Sequence, residues 1–115
     1  MEMKPITVVE VAPFPAQADK AWSQTERDAF INYIAHHPLE GDEIPGTGGL
    51  RKLRWGRQGV GKRGGVRVIY YFYNETAPIF LLHLYSKNER VDIKPEIKKE
   101  LVEFTKLVKA KLKGK

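Results

Sequence analysis

Five basic side chains fall in an order that suggests work on a phosphate. Lys52 and Arg54 stand two residues apart, Arg67 lies in the most hydrophobic segment of the chain, and Lys87 and Arg90 follow the next apolar run. Arginine and lysine give charge-assisted hydrogen bonds to phosphate oxygens and neutralise the charge that develops in phosphoryl transfer. Arg67 carries the sharpest signal, because a guanidinium in an apolar strand is costly unless it is paired or faces a site. No acid lies within seven residues of it on either side. One reading pairs it with a distant glutamate or lets it snorkel from a sheet edge; the other gives it an anionic ligand. Five basic residues converging along adjacent strands favour phosphate binding.

Other chemistry finds less support. Gly59, Gly61 and Gly64 satisfy G-x-G-x-x-G, and Gly56 to Lys62 reads G-x-x-x-x-G-K. Both fingerprints need a helix to follow, and here a strand follows; Arg63 also stands where a Ser or Thr would reach magnesium. Neither pattern is read as a nucleotide loop. His36 and His37 are adjacent at a helix end, which suits capping of that end better than chelation. His83 lies in an apolar strand and reads as a satisfied sheet histidine. Glu40, Asp42 and Glu43 form one acidic loop cluster without a convincing metal set, so no metal and no cofactor are expected.

The elements that must position the cations are readable in outline. Ile6 to Val11 reads as a short strand stopped by Pro13 and Pro15. Ser23 or Thr25 can cap a helix, with Glu26 three residues after Ser23 in capping-box spacing, and that helix carries Ala29, Phe30, Tyr33 and Ile34 and ends near His37 before Pro38. Residues 38–49 read as a loop. Leu50 to Trp55, if extended, puts Arg51, Leu53 and Trp55 on one face and Leu50, Lys52 and Arg54 on the other. Gly56 to Gly65, with five glycines, reads as a mobile hairpin loop carrying Arg57, Lys62 and Arg63. Val66 to Tyr73 and Ile79 to Tyr85 complete an antiparallel meander. A last helix begins near Pro95, and Ile97, Leu101, Phe104, Val108 and Leu112 give it an apolar stripe. Its many lysines read as a solvated face.

Composition sets the frame. The 115 residues contain no cysteine, which excludes disulfide scaffolds, thiolate metal sites and cysteine nucleophiles. One domain over residues 1–115 is expected. No apolar run approaches the roughly 20 residues of a membrane span, and Met1 to Pro5 shows no export signal, so a cytoplasmic protein without a membrane partner is expected. The formal charge of +6 is uneven. Up to Gly48 three basic residues face eight acidic ones, and from Gly49 seventeen face six. The second half is therefore the candidate for binding a polyanion.

Three segments together resemble a known family. Gly48-Gly49-Leu50-Arg51-Lys52-Leu53-Arg54-Trp55, Gly65-Val66-Arg67-Val68-Ile69-Tyr70-Tyr71 and Leu84-Tyr85-Ser86-Lys87-Asn88-Glu89-Arg90 resemble the RelE/HigB-like toxins of bacterial type II toxin-antitoxin modules, closest to the HigB branch. The resemblance implies an α+β fold, a small antiparallel sheet of about four strands with helices packed on one face. It implies a metal-independent endoribonuclease that cleaves mRNA in the ribosomal A site, the substrate's 2′-OH attacking the adjacent phosphate. Lys52, Arg54, Arg67, Lys87 and Arg90 would then be catalytic, with Arg51, Arg57, Lys62 and Arg63 binding RNA. The expected partners are a cognate antitoxin with a helix-turn-helix domain, mRNA on the ribosome, and operator DNA only through that antitoxin. RelE-type sequences often place a tyrosine or histidine after the last segment, where Val91, Asp92 and Ile93 stand here. The general base is thus unassigned among Tyr85, Lys87 and Glu89, and a catalytically inactive relative that binds RNA or antitoxin is the alternative.

Overall fold

Val66, Val68 and Tyr70 alternate with Ile69 and Tyr71, so the central strand is apolar on both faces and must be covered on both. The computed structural model, which describes residues 4–57, 61–86 and 92–113 (backbone only at 57 and 61–64), does this with helices on either side. In chain order the elements are β1 (Val8–Glu10), α1 (Phe14–Ala21), α2 (Gln24–His36), β2 (Asp42–Glu43), β3 (Leu50–Arg57), β4 (Gly61–Tyr71), β5 (Ile79–Ser86) and α3 (Pro95–Lys113). The sheet order is β1-β5-β4-β3-β2. β3, β4 and β5 form the expected antiparallel meander, β2 adds antiparallel to β3, and β1 lies parallel to β5.

The α+β class holds, with two differences from the expected arrangement. The sheet is mixed and five-stranded, because β1 runs parallel to β5 and the acidic loop supplies Asp42 and Glu43 opposite Lys52 and Arg51. The helices also occupy both faces. α1 and α2 bury Phe14, Ala18, Trp22, Phe30 and Ile34 against Leu53, Val66, Val68, Tyr70 and Leu81. α3 brings Leu101, Ile97, Phe104 and Val108 to Leu50, Ile69, Tyr71 and Leu82, with Phe80 and Phe104 edge to face at 5.4 Å. This is the stripe that the helical spacing anticipates.

Local chemistry accounts for the element ends. The Ser23 hydroxyl accepts from the Glu26 amide at 3.1 Å while the Glu26 carboxylate accepts from the Ser23 amide at 2.9 Å, a complete capping box on α2. His36 and His37 each place Nδ1 on the carbonyl four residues back, at 2.8 and 3.0 Å, and so cap the C-terminal end as expected. α1 is an element the sequence reading lacks: Pro13 and Pro15 read as stops, yet they sit at the start of this helix, where a missing N–H costs nothing. Arg27 of α2 reaches Glu10 of β1 with Nη2 to Oε1 at 2.7 Å and Nε to Oε2 at 3.0 Å, and also bonds Asp19 of α1. These carboxylates hold the guanidinium above its ordinary range against the cost of burial.

The glycine-rich segment is strand for most of its length, contrary to the loop expected. β3 continues to Arg57, β4 begins at Gly61, and these two residues pair. The pairing is irregular between Trp55 and Arg57, and there Gly65 approaches so closely that a Cβ would lie 2.2 Å from the Trp55 carbonyl oxygen. Only glycine fits. No helix among the described residues is long and apolar enough to cross a membrane.

Candidate functional site

The face of the sheet that carries α3 also carries the cations. Leu50, Lys52 and Arg54 of β3 alternate onto this face, and the pairing places Arg54 directly opposite Arg67 of β4. Arg67 is in turn opposite Tyr85 of β5. A transverse row, Arg54–Arg67–Tyr85, therefore crosses three strands, with Lys52 one step along β3 on the same face. Like charges directly opposite each other destabilise an antiparallel pair, so the Arg54–Arg67 pairing is not a device for holding the sheet together.

Tyr85 reaches this row through an irregularity. Tyr70 pairs with Leu81 but Ile69 pairs with His83, which leaves Leu82 as an extra residue on β5. Simple alternation would put Tyr85 on the same face as Ile79 and Leu81. The bulge moves Leu84 to that face and turns Tyr85 to the side of Leu82 and Arg67.

Arg67 is 7% exposed, and among the described residues its Nη1 has no hydrogen-bond partner. No carboxylate forms an ion pair with Arg67 or Arg54 among the described residues. The distant glutamate of the sequence reading is absent from this set. Asp92, just before α3, lies across the neighbouring groups: its Oδ1 is 3.8 Å from the Lys52 Nζ and accepts from the Tyr85 hydroxyl at 3.5 Å. Burial, reinforced by the Asp92 charge and opposed by Arg67, pushes the Tyr85 phenol up to about 12. Near neutral pH Tyr85 is therefore a phenol that donates a hydrogen bond. Asp92 is the site residue that the sequence reading overlooked. Nothing in its local sequence distinguishes it from an ordinary acid ahead of a helix.

The remaining candidates divide between other places. Arg51 points to the opposite face, where its Nη1 donates to the Gly41 carbonyl at 2.7 Å and, at 3.5 Å, to that of Leu39. The structure does not bring it to the row. It anchors the segment that also holds Gly41, whose amide donates to the Tyr70 hydroxyl at 2.8 Å while that hydroxyl donates to the Pro38 carbonyl at 2.8 Å. A Cβ at Gly41 would lie 2.8 Å from the Tyr70 ring. Arg57 closes β3, and Lys62 and Arg63 lie on the β4 backbone rather than in a loop; their side chains fall outside the described residues. Lys87, Glu89 and Arg90 are likewise outside the described residues. His83 lies 3.4 Å from the Gln17 side-chain nitrogen. No group of three or more His, Asp or Glu among the described residues is placed to hold a metal ion.

The fold is a five-stranded α+β architecture that sets two arginines and a lysine side by side on one sheet face. Residues 18–114 match the family model of the RelE toxin of the RelE/RelB toxin-antitoxin system. The chain belongs to the RelE toxin family and is the toxin of such a module, whose partner is an antitoxin of the RelB type.

Proposed function

We propose that this toxin is an endoribonuclease that cuts mRNA on the ribosome and thereby stops translation. The observation that carries the reading is Arg67: a buried guanidinium whose Nη1 has no partner among the described residues, set directly opposite a second arginine. Such an arrangement costs stability in the free protein and is relieved by a bound anion. In the proposed reaction the substrate 2′-oxygen forms a bond to the adjacent phosphorus as the bond from phosphorus to the 5′-oxygen of the next nucleotide breaks. The 2′-OH proton is lost, the leaving oxygen gains one, and a 2′,3′-cyclic phosphate remains. Arg67 and Arg54 donate to the non-bridging oxygens, where charge develops, and Lys52 adds a third cation to the same face. Tyr85, held as a phenol, offers a hydrogen bond to an oxygen of the reacting phosphate. Lys87 and Arg90 are proposed to contribute from the segment before α3, with Lys87 or Glu89 as the proton acceptor. Arg57, Lys62 and Arg63 are proposed to hold flanking RNA.

Expression of the chain without an antitoxin tests this reading. Growth arrest, with mRNA fragments ending in 2′,3′-cyclic phosphate, is the expected result, and Arg67→Ala is expected to remove both. A wild-type chain that leaves growth and mRNA intact contradicts the reading.

A further inference from the structure

A cavity of about 460 Å³ opens beside the cations and shares Tyr85 with their row. Its origin is topological: β1 covers β5 only from Ile79 to Leu81. Beyond the bulge, α1 and the approach to α3 flank the strand edge in place of another strand. Ala21, Leu84 and Ile97 give the cavity apolar wall, while Lys20 and Lys94 line it from the two flanking elements. Apolar surface with two cations within one cavity of this size suits a ring system bearing an anionic group.

Two observations select the occupant. Tyr85 lines this cavity and also closes the Arg54–Arg67–Tyr85 row, so the cavity adjoins the row at that residue. An added peptide strand is disfavoured, because the Leu84 amide that it would need already donates to the Gln17 side-chain oxygen at 2.8 Å. We infer that the cavity between α1, β5 and the start of α3 is a nucleotide subsite, seating a nucleotide next to the phosphate bound at Arg67. The inference rests on the proposed cleavage of RNA.

The test is a pair of titrations of the full chain, followed through backbone amide resonances, one with adenosine 5′-monophosphate and one with inorganic phosphate. The nucleotide is expected to shift Ala21, Leu84 and Ile97 in a saturable way, and phosphate to shift Lys52, Arg54 and Arg67 but not Ala21 or Leu84. Lys20→Glu, at an exposed position, is expected to weaken the nucleotide about tenfold, the scale of one charge-assisted contact, and to leave the phosphate response at the row unchanged. Ala21→Trp, which fills the cavity, is expected to abolish the Leu84 shift. The subsite is overturned if the nucleotide perturbs only the row, or binds both variants as it binds the wild type. Phosphate at the row with no nucleotide in the cavity defeats the subsite and leaves the cleavage reading standing. Nucleotide in the cavity with no phosphate at the row supports the subsite and counts against the cleavage reading.

Discussion

At the scale of single residues, the role proposed for Arg67 sets stability against function. Its buried Nη1 lacks a partner among the described residues, so replacing the guanidinium with an apolar chain of similar length removes the desolvation cost of that group. Arg67→Met is expected to leave folding unchanged or to stabilise it by about 1 kcal/mol in denaturant unfolding. Cleavage by the same variant is expected to fall by about 10²–10³-fold, the effect of removing one donor to developing charge. Tyr85 supplies a second measurement at this scale. Its phenol is raised to about 12 by burial and then by Asp92, so phenolate absorbance is expected to show one tyrosine titrating near that value. In Asp92→Asn the midpoint is expected to move down toward the ordinary value near 10 while burial keeps it higher. The linkage follows the same sign: the raised phenol supports the fold fully below about pH 10, and that support is lost between about pH 10 and 12 as the unfolded chain ionises first.

At the scale of elements, the backbone irregularities place the side chains. Gly65→Ala would drive a Cβ into the Trp55 carbonyl and is expected to cost about 1–3 kcal/mol of stability in denaturant unfolding, since backbone rather than a flexible side chain must yield. The same irregularities mark the limit of what the sequence discloses. α2 is legible because Ser23 and Glu26 cap it, and α3 because its apolar residues recur at helical spacing. Alternation on β3 already separates Lys52 and Arg54 from Arg51, and the position of Arg67 in an apolar strand already marks it as unusual. α1 is hidden because prolines that start a helix resemble prolines that end a strand. β2 is hidden because two residues carry no period. The turning of Tyr85 toward Arg67 depends on one extra residue, Leu82, and an alternating pattern carries no mark of where a bulge falls. Asp92 belongs to the row only through tertiary placement.

At the scale of the whole molecule, the net charge of +6 says less than its distribution. The acidic first half builds α1 and α2 on one side of the sheet, and the basic second half contributes the cation row on the other. Three cations on one face, Lys52, Arg54 and Arg67, predict RNA binding that weakens with salt, with a slope of about −2 in log affinity against log salt from these three alone. The RelB-type antitoxin that the family implies is expected to suppress that binding when added in equimolar amount. The central claim is the chemistry at Arg67, and the most direct test is the end group of the cut RNA. Purified chain added to ribosomes halted on a defined mRNA is expected to yield fragments ending in 2′,3′-cyclic phosphate, and Arg67→Met, folded as well as the wild type, is expected to yield almost none. Undiminished cleavage by the folded variant, or no cyclic phosphate from the wild type, would contradict the account.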